Sequence, residues 1–327
     1  MKEDRESKPI NKREYRLIKE NSVAKFLLHR LYIAILVAIT VSVIAFGLLR
    51  LSGDLAAELA GEDASEEEIA LTAKQYGLDR PLYIQYFDWA GGALTGDLGR
   101  SLFTNEPVVE MIFERIGVTV KLALYAIFVS LVVAIPLGVM ASVRPNTLID
   151  RFSLGIAVFG QAIPNFYFAL LLILLFGVKL RWLPISGNDS FAHFILPAFT
   201  LGLGAMPQFM RLTRSGMLDV LDSDFIRTAR AKGLNPRRVL FKHALRNAVL
   251  PIVSLMAVVL GFLLGGTVII ESIFALNGVG FLAFESIMRQ DFPVVQSIVF
   301  ILSLSYIVLT LLSDLINAQL DPRIRLG

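Results

Sequence analysis

A strongly basic island at residues 224–251 holds the side chains of this chain that are best suited to contact another protein. It lies between two apolar stretches that are each long enough to cross a bilayer. Ser223 can cap a helix that opens at Asp224, and Gly233 is the residue type expected in the left-handed position that ends a helix. The pattern therefore predicts one short, water-exposed helix with a forced stop at Gly233.

A second helix is predicted to lead from this island back into the membrane. Asn235 is a suitable N-cap, and Pro236 suits the first helical position because the amide hydrogen that it lacks would have no partner there. Pro251 removes another amide donor and clashes with the carbonyl group of Asn247, so we expect a bend where the chain re-enters the apolar phase. Apolar residues recur between them at three- and four-residue spacing: Val239, Leu240, Ala244, Leu245, Ala248 and Val249.

The island resembles the cytoplasmic EAA loop of binding-protein-dependent ABC importer permeases. The strings RTARAKG and HALRNAVLP are similar to the first of the two permease subunits in the dipeptide, oligopeptide and nickel branch. Ala229 and Gly233 match the general pattern, Arg227 and Thr228 replace its Glu and first Ala, and Pro251 lies later than the pattern places it. Both departures are what we expect of the peptide branch.

The resemblance implies that the short helix is a coupling helix, which docks into a cleft on an ATPase subunit. Ala229 and Ala231 would pack closely in that cleft, Gly233 would form the turn, and the basic side chains would make polar contacts with the partner. The implied coupling residues are Arg227, Thr228, Ala229, Arg230, Ala231, Lys232 and Gly233. The charges alone fit a solvated loop that merely obeys membrane topology, whereas their ordered combination with Gly233 and Pro251 favours the coupling interpretation.

Composition places the chain in a bilayer. It has 327 residues, of which 55% are hydrophobic and 18% charged, and its mean hydropathy is +0.65. We expect an all-α, polytopic integral membrane protein, because helices satisfy their own backbone in lipid and the apolar runs lack the alternation of barrel strands. Six spans are predicted, at residues 26–51, 116–143, 152–180, 194–212, 248–274 and 293–317.

The distribution of charge predicts the topology. The segment before the first span is rich in Lys and Arg, whereas the segment after it carries Glu58, Glu62, Asp63, Glu66, Glu67 and Glu68 with little basic charge to balance them. The positive-inside rule then places both termini in the cytoplasm, together with the loop at 144–151 and the basic island. The predicted organisation is a tail at 1–25, a first span at 26–51, an extracytoplasmic subdomain at 52–115, a five-helix core at 116–318 with the coupling loop at 213–250, and a tail at 319–327.

The extracytoplasmic subdomain has helix signals of its own. Ser65 and Glu68 form a capping box for a helix at 66–76, which Gly77 should end. A second helix is predicted to begin at Pro81 and to end near residues 91–92. The strings GLDRPLYIQY and GDLGRSL resemble the region of the importer family that helps to seat a substrate-binding protein, but a structural cap over the helix bundle explains them equally well.

Glu271 is the ionisable residue in the apolar segments that most suggests a function, since charge is expensive there unless it is paired or hydrated. It lies in VIIESIFALNGVGFLAFESIMRQDFPVV, which resembles a signature of the importer family. From this resemblance we take Glu271, Phe274, Arg289 and Asp291 as a possible outer gate. The alternative is an interfacial carboxylate without a special role.

Two further features concern packing. Pro164, in FGQAIPNFY, is predicted to kink the third span, either beside a pathway or for packing alone. Gly261 and Gly265 form a small-xxx-small face on the fifth span, which suits close approach of another helix.

Several classes of protein are excluded or disfavoured. The chain has no Cys, its three His residues lie on different segments, and it has no G-x-x-x-x-G-K-[ST] loop. We therefore expect no cofactor, no metal site and no ATP binding in this chain, with ATP and Mg²⁺ held by partner ATPase subunits. No catalytic constellation indicates an enzyme, and the basic loop lacks the interleaved aromatic residues typical of a nucleic-acid partner.

The resemblance, which covers nearly the whole chain after residue 23, implies a type I ABC importer permease for dipeptides or oligopeptides. It also implies a second homologous permease, two ATPase subunits and an extracytoplasmic substrate-binding protein as partners. Nickel, glutathione or an oligosaccharide remain alternative substrates. An ATP-independent channel or secondary carrier is the alternative from a different class.

Overall fold

The computed structural model describes residues 12–51, 55–61 and 63–320, so residues 1–11 of the predicted N-terminal tail and residues 321–327 of the predicted C-terminal tail lie outside the described residues. The described residues form helices and no strand, which confirms the all-α prediction. The helices are α1 (Lys12–Leu51), α2 (Leu55–Ala60), α3 (Glu66–Gln75), α4 (Leu82–Thr95), α5 (Val108–Val143), α6 (Leu148–Ala162), α7 (Asn165–Leu172), α8 (Phe191–Leu221), α9 (Asp224–Ala231), α10 (Pro236–Arg238), α11 (Leu245–Ala248), α12 (Leu250–Gly266), α13 (Val268–Ile273), α14 (Val279–Met288) and α15 (Phe292–Leu320). Two π-helices, Ile173–Lys179 and Val239–Ala244, continue α7 and join α10 to α11.

Three helical stretches of the described chain are long and apolar enough to cross a membrane: Leu28–Leu48, Val108–Val143 and Phe292–Asn317. Two bent helix pairs bring the number to five if each pair is one span. The remaining predicted span, at 194–212, lies inside α8, which is helical throughout but is not among these five. The structure therefore supports a multi-pass helical protein, and the count of six stays a prediction.

The two bent pairs correspond to the two predicted breaks. The third predicted span turns by 97° between α6 and the helix that begins at Asn165, directly after Pro164. The second break, of 48°, separates Pro236–Ala248 from Leu250–Gly266 and lies beside Pro251. Both proline predictions are confirmed, although the turn at Pro164 is far sharper than a kink within one straight span.

The core of the bundle is the packing of α5 on α8. A Cβ atom added at Gly202 of α8 would lie 2.7 Å from the carbonyl oxygen of Ala126, and one added at Gly138 of α5 would lie 2.6 Å from the Cβ of Thr213. These small residues let the two helices approach closely, as is usual between membrane helices. Gly261 makes the same kind of contact, because its added Cβ would lie 2.7 Å from the ring of Tyr306, whereas Gly265 has open space beside it.

The segment that follows α1, residues 55–107, contains the predicted capping box, which lies after α2. The backbone N–H of Ser65 donates to Glu68 Oε2 at 2.8 Å, and the N–H of Glu68 donates to Ser65 Oγ at 3.4 Å. The hydrogen bonds from the Ser65 backbone and side chain hold the pKa of Glu68 below its usual value. The pKa of Glu68 is lower in the folded chain than in the unfolded chain. Its contribution to stability is therefore fully present above the unfolded-state pKa and is lost as the pH falls through the folded-state pKa.

The predicted end of the next helix is wrong. Helix α4 continues through residues 91 and 92 and ends at Gly96, which has a φ of 88°. Gly92 allows close packing here, since a Cβ added to it would lie 2.9 Å from the carbonyl oxygen of Asp97. A pair of glycines therefore marks a packing contact at this place and not a helix terminus.

Hydrogen bonds fasten this segment to the last helix of the bundle. Ser101 Oγ donates to Asp291 Oδ2 at 2.5 Å, and the backbone N–H of Leu102 donates to Asp291 Oδ1 at 3.2 Å. Ser297 Oγ, on α15, donates to the carbonyl oxygen of Leu98 at 3.3 Å. The segment is thus packed onto the bundle as a cap, which leaves its predicted role in docking another protein untested.

Candidate functional site

The candidate docking surface is helix α9, at one end of the bundle. Its inward side is apolar, and Ile226 (0% exposed) and Ala229 (8% exposed) are both buried. They belong to a cluster of buried side chains from four other elements: Val139, Met217, Val239, Ala244 and Ala248. The helix is therefore held against the rest of its own chain and is not a free loop.

The predicted stop of α9 is confirmed. Gly233 has a φ of 72°, its N–H donates to the carbonyl oxygen of Arg230 at 3.0 Å, and the N–H of Leu234 donates to that of Ala229 at 3.3 Å. This pair of bonds is a Schellman motif, in which the left-handed position favours glycine. No atom lies within 4 Å of a Cβ added at Gly233, so the backbone angle alone accounts for the glycine.

We expect Gly233→Val to loosen the end of α9 and Gly233→Asn to preserve it. A left-handed conformation costs an ordinary L-residue about 1–2 kcal/mol, whereas asparagine adopts it readily. Amide hydrogen exchange across residues 224–234 should be roughly tenfold faster in the valine variant and nearly unchanged in the asparagine variant. Equal exchange rates in the two variants would contradict this account of the stop.

The predicted start of α9 is correct in position, but the predicted capping hydrogen bond of Ser223 is not formed. Ser223 precedes the helix with extended backbone angles, yet its hydroxyl makes no capping bond and instead donates to the carbonyl oxygen of Val220 at 2.5 Å. Inside the helix, Thr228 Oγ1 donates to the carbonyl oxygen of Asp224 at 2.9 Å. Most of the outward polar groups of α9 remain accessible.

The outward side of α9 differs from the sequence prediction in two residues. Ala229 packs into the core of its own chain, so it brings α9 close to the bundle and does not enter a partner's cleft. Phe225, which the sequence analysis missed, is 46% exposed on this face. Phe225 and Phe241 both lie in the basic island, so the expectation that it lacks interleaved aromatic residues is wrong. The other exposed residues of this surface are Asp224, Arg227, Thr228, Arg230, Ala231, Lys232 and Gly233.

The return to the membrane follows the prediction in outline. Asn235 caps the next helix, since its Oδ1 accepts a hydrogen bond from the N–H of Arg237 at 2.9 Å, and Pro236 is in the first turn. Three residues of the predicted stripe, Val239, Ala244 and Ala248, are buried in the cluster beneath α9. The π-helix at Val239–Ala244 was not predicted.

A buried ion pair braces α6 against α8 near the start of α6. Asp150 accepts hydrogen bonds from Arg214 Nε and Nη2, both at 2.8 Å, and a third from the N–H of Asn146 at 2.9 Å. The Asp150 side chain is 3% exposed and that of Arg214 24%. The bidentate geometry is the arrangement in which a carboxylate and a guanidinium interact most strongly.

Replacing Asp150 with Asn should destabilise the folded chain by about 3 kcal/mol, because it leaves a largely buried guanidinium without its counter-charge. Thermal unfolding of the purified protein in detergent measures this effect. Asp219→Asn is the matched control, since Asp219 is an exposed carboxylate on the same helix as Arg214. Equal unfolding temperatures for the two variants would show that the pair contributes little.

The four residues predicted as an outer gate take part in separate contacts. Glu271 is fully buried, and its Oε2 accepts a hydrogen bond from the N–H of Phe281 at 3.0 Å, in the first turn of α14. The N–H of Val279 donates to Thr119 Oγ1 at 2.9 Å in the same turn. Glu271 and Thr119 thus cap α14 and tie it to α13 and α5. The gate role remains a prediction.

The other three residues lie elsewhere. Phe274 is buried, and its carbonyl oxygen accepts a hydrogen bond from the N–H of Gly187 at 3.1 Å. Asp291 is buried in the contact with Ser101 and Leu102 described above, whereas Arg289 is exposed. Among the described residues there is no group of three or more His, Cys, Asp or Glu side chains that could hold a metal ion.

An open cavity of about 340 Å³ lies beside the 97° turn. Three uncharged amide side chains line it, Gln161 and Asn165 from the turn and Gln208 from α8, and all three residues are exposed. The other walls come from α12 and α15 and are mainly apolar. Exposed amides are costly against lipid, so this face requires water or another polar surface.

Apolar membrane helices, a sharply broken span and a small exposed helix at one end of the bundle are the features expected of the membrane-embedded subunit of a transporter. The family model described as "Binding-protein-dependent transport system inner membrane component" matches residues 134–326, and the corresponding N-terminal model matches residues 23–123. The chain belongs to this family of inner-membrane permeases, and it is a multi-pass permease subunit of an ABC importer.

Relatives from two kinds of bacteria are similar over most of their length. The glutathione transport system permease protein GsiC of Escherichia coli K12 is 40% identical over 286 residues, which cover 87% of this chain and 94% of that protein. A probable peptide ABC transporter permease of Sinorhizobium fredii, y4tP, is 36% identical over 309 residues, covering 92% and 99%. These similarities confirm the predicted dipeptide, oligopeptide and nickel branch of the permeases.

Solved structures support the fold. An inward-facing structure of the MetNI methionine ABC transporter matches with a TM-score of 0.56 and 20% sequence identity, over 66% of this chain and 99% of that chain. A second inward-facing crystal form gives a TM-score of 0.51 and 21% identity, over 67% and 97%. The permease fold predicted from the sequence is therefore confirmed.

Proposed function

We propose that this permease imports dipeptides or oligopeptides and that α9 transmits the work of a separate ATPase subunit to the bundle. The observation that carries the proposal is the division of α9 into two faces. Ile226 and Ala229 fix the helix to its own core, while Phe225 and the basic side chains point away from it. A push on the outward face would therefore reach α5, α8, the π-helix at Val239–Ala244 and α11 through packed side chains.

The outward face suits a protein partner. Phe225 provides an apolar anchor, and Arg227, Arg230 and Lys232 surround it with charge. An aromatic anchor within a charged rim is the usual anatomy of a binding hot spot. In this proposal the small residues Ala231 and Gly233 allow the partner to approach the backbone of this surface closely.

The cavity beside the 97° turn supports a pathway for polar cargo. Gln161, Asn165 and Gln208 offer hydrogen bonds to the polar backbone of a peptide, and Arg211 Nη1, which donates to Gln161 Oε1 at 3.1 Å, places one positive charge beside them. Because this face cannot lie against lipid without cost, we propose that a second, homologous permease completes it.

The complete importer would contain two permeases, two ATPase subunits that hold ATP and Mg²⁺, and an extracytoplasmic substrate-binding protein. Both termini and α9 would lie in the cytoplasm, and the segment at 55–107 would lie outside, where it would help to seat the binding protein. No cofactor is proposed for the permease itself.

The substrate class is supported by the names of two relatives, a glutathione transport permease and a probable peptide transporter permease. Glutathione is itself a tripeptide, so a peptide pathway accommodates both. Glutathione is the second candidate substrate. Nickel and oligosaccharides have no such support from these relatives.

The test is uptake into proteoliposomes that contain this permease, its sister permease and the ATPase subunits, with the binding protein outside. Labelled dipeptide, oligopeptide, glutathione and Ni²⁺ are compared at equal concentration, with ATP inside the vesicles. We expect ATP-dependent accumulation of a peptide or of glutathione, and none when the ATPase subunits are omitted. Uptake by the permeases alone would instead indicate a channel or secondary carrier.

A further inference from the structure

Arg211, an exposed residue of α8, lies beside the amide-lined cavity at the 97° turn. Its Nη1 donates a hydrogen bond of 3.1 Å to Oε1 of Gln161, which is one of the three amide side chains of that cavity. No acidic side chain occurs among the described residues that line the cavity, and every lining residue lies well inside the described range 63–320. Among the described residues, Arg211 is therefore the charged group at this cavity.

The direction of the Arg211 side chain follows from the packing of α6 on α8. Asp150, in the first turn of α6, pairs with Arg214, whereas a Cβ added at Gly160, near the end of α6, would lie 2.9 Å from the carbonyl oxygen of Leu203. The two helices are therefore antiparallel, and the end of α6 lies about 12 Å along α8 from Arg211, because a helix rises 1.5 Å per residue. To reach its partner there, Arg211 must extend along α8 toward Leu203, away from α9.

This direction is the reverse of the one expected for an arginine near the end of a membrane span. Such a side chain normally extends toward the nearer aqueous interface. Arg211 lies at the end of the predicted span at 194–212, yet it extends toward the level of Gln208, which lines the cavity on the same face of α8. Charge held at this depth is costly unless it is hydrated or paired, and it commonly marks a functional site.

The guanidinium of Arg211 is suited to a carboxylate. It carries five N–H donors in a planar fork that matches two carboxylate oxygens, and Arg214 and Asp150 show this geometry one turn away. A carboxylate binds a guanidinium more strongly than a neutral amide oxygen does, because it carries a full charge and accepts two hydrogen bonds. An incoming carboxylate can therefore replace Gln161 as the partner of Arg211.

We propose that Arg211 binds the C-terminal carboxylate of the cargo as the cargo passes the amide-lined cavity. Gln161 accepts from the guanidinium when no cargo is present and gives up this position to the carboxylate. The inference rests on the peptide-import function proposed above, and it names the group of the cargo that the permease recognises. Glutathione, which has two carboxylates, fits the same site, whereas the charge of Arg211 repels Ni²⁺.

The test is a ratio of two uptake rates in the proteoliposomes described above. Trialanine and glutathione are each compared with their fully amidated forms, which lack carboxylates, at saturating concentration and with the same binding protein outside. In Arg211→Gln the ratio of acid to amide uptake should fall about fivefold relative to the parent, which is the factor for one ion pair at about 4 Å in water. The ratio does not depend on how much permease folds, and any preference of the binding protein cancels between parent and variant.

Two further variants separate this site from a general effect of charge. Arg211→Lys should keep most of the ratio, because it keeps the charge. Arg151→Gln should leave the ratio unchanged, since Arg151 is an exposed arginine on α6 that does not line the cavity. An unchanged ratio in Arg211→Gln, or an equal fall in Arg151→Gln, would overturn the inference while peptide import stands. If the parent takes up neither acid, the proposed function is overturned, and this inference with it.

Discussion

Phe225→Ala should remove most of the transport-coupled ATP hydrolysis while the permease still inserts, folds and unfolds at its normal temperature. Phe225 is 46% exposed, so its removal leaves no cavity in its own chain. Truncation of an aromatic anchor at the centre of an interface typically costs 2 kcal/mol or more of binding, which is about a thirtyfold loss of affinity. The measurement is peptide-stimulated ATPase activity in proteoliposomes, together with the amount of ATPase subunit that co-purifies.

Two further variants serve as controls for Phe225→Ala. Phe113→Ala removes a phenylalanine on α5 that is even more exposed, at 71%, and should leave coupling unchanged. Ile226→Ala, on the buried face of the same helix, should instead lower stability by about 2–5 kcal/mol, because it leaves a cavity. Normal coupling in Phe225→Ala would show that Phe225 is not an anchor for the ATPase subunit. Full peptide uptake without any bound ATPase subunit would show that α9 has no coupling role.

Glu271→Leu should destabilise the protein and abolish transport, whereas Glu271→Gln should fold nearly as well as the parent. Leucine offers no acceptor, so the buried N–H of Phe281 loses its partner at a cost of about 1–3 kcal/mol, and α14 loses a cap. Glutamine keeps one oxygen for that bond. Its amide nitrogen can occupy the position of Oε1, which accepts no hydrogen bond within the described structure. Thermal unfolding and ATP-driven uptake measure the two effects.

The comparison of these variants also distinguishes the two roles of Glu271. If Glu271→Gln transports normally, the residue acts as a neutral or charged cap, and a gate that requires its charge is excluded. If Glu271→Gln folds normally but fails to transport, the charge itself is needed. Glu114→Leu, at an exposed carboxylate on α5, controls for the loss of an acidic residue from this part of the protein.

Local features of the fold were predicted well because their causes are local. Ser65 and Glu68 lie three residues apart and satisfy each other's backbone, so the start of α3 follows from sequence alone. Gly233 and Pro251 act through their own backbone geometry, and both the stop of α9 and the bend at α12 were therefore predictable. In α4, by contrast, the glycines at 91 and 92 were predicted to end the helix, but the helix continues through them. Gly92 is required there by its close contact with Asp97.

Features that depend on distant residues were not predictable in this way. The cap of α14 joins Glu271 to Phe281 and Val279 to Thr119, and the sequence does not reveal the second of these pairs, 160 residues apart. The burial of Ala229 had a weak signal, since Ile226 lies three residues before it on the same side of the helix. The importer resemblance placed both alanines in a partner's cleft, and only the packed structure separates their roles.

The hydrogen bond between Ser101 and Asp291 joins residues 190 positions apart. During synthesis the segment at 55–107 leaves the ribosome long before Asp291 does, so for most of translation it has no partner at that position. The segment at 55–107 can form these contacts only after α15 has been inserted, so its packing onto the bundle is a late step of folding. A chain that ends before Asp291 would lack both Asp291 and Ser297, so Ser101 and the carbonyl oxygen of Leu98 would keep no partner on the last helix.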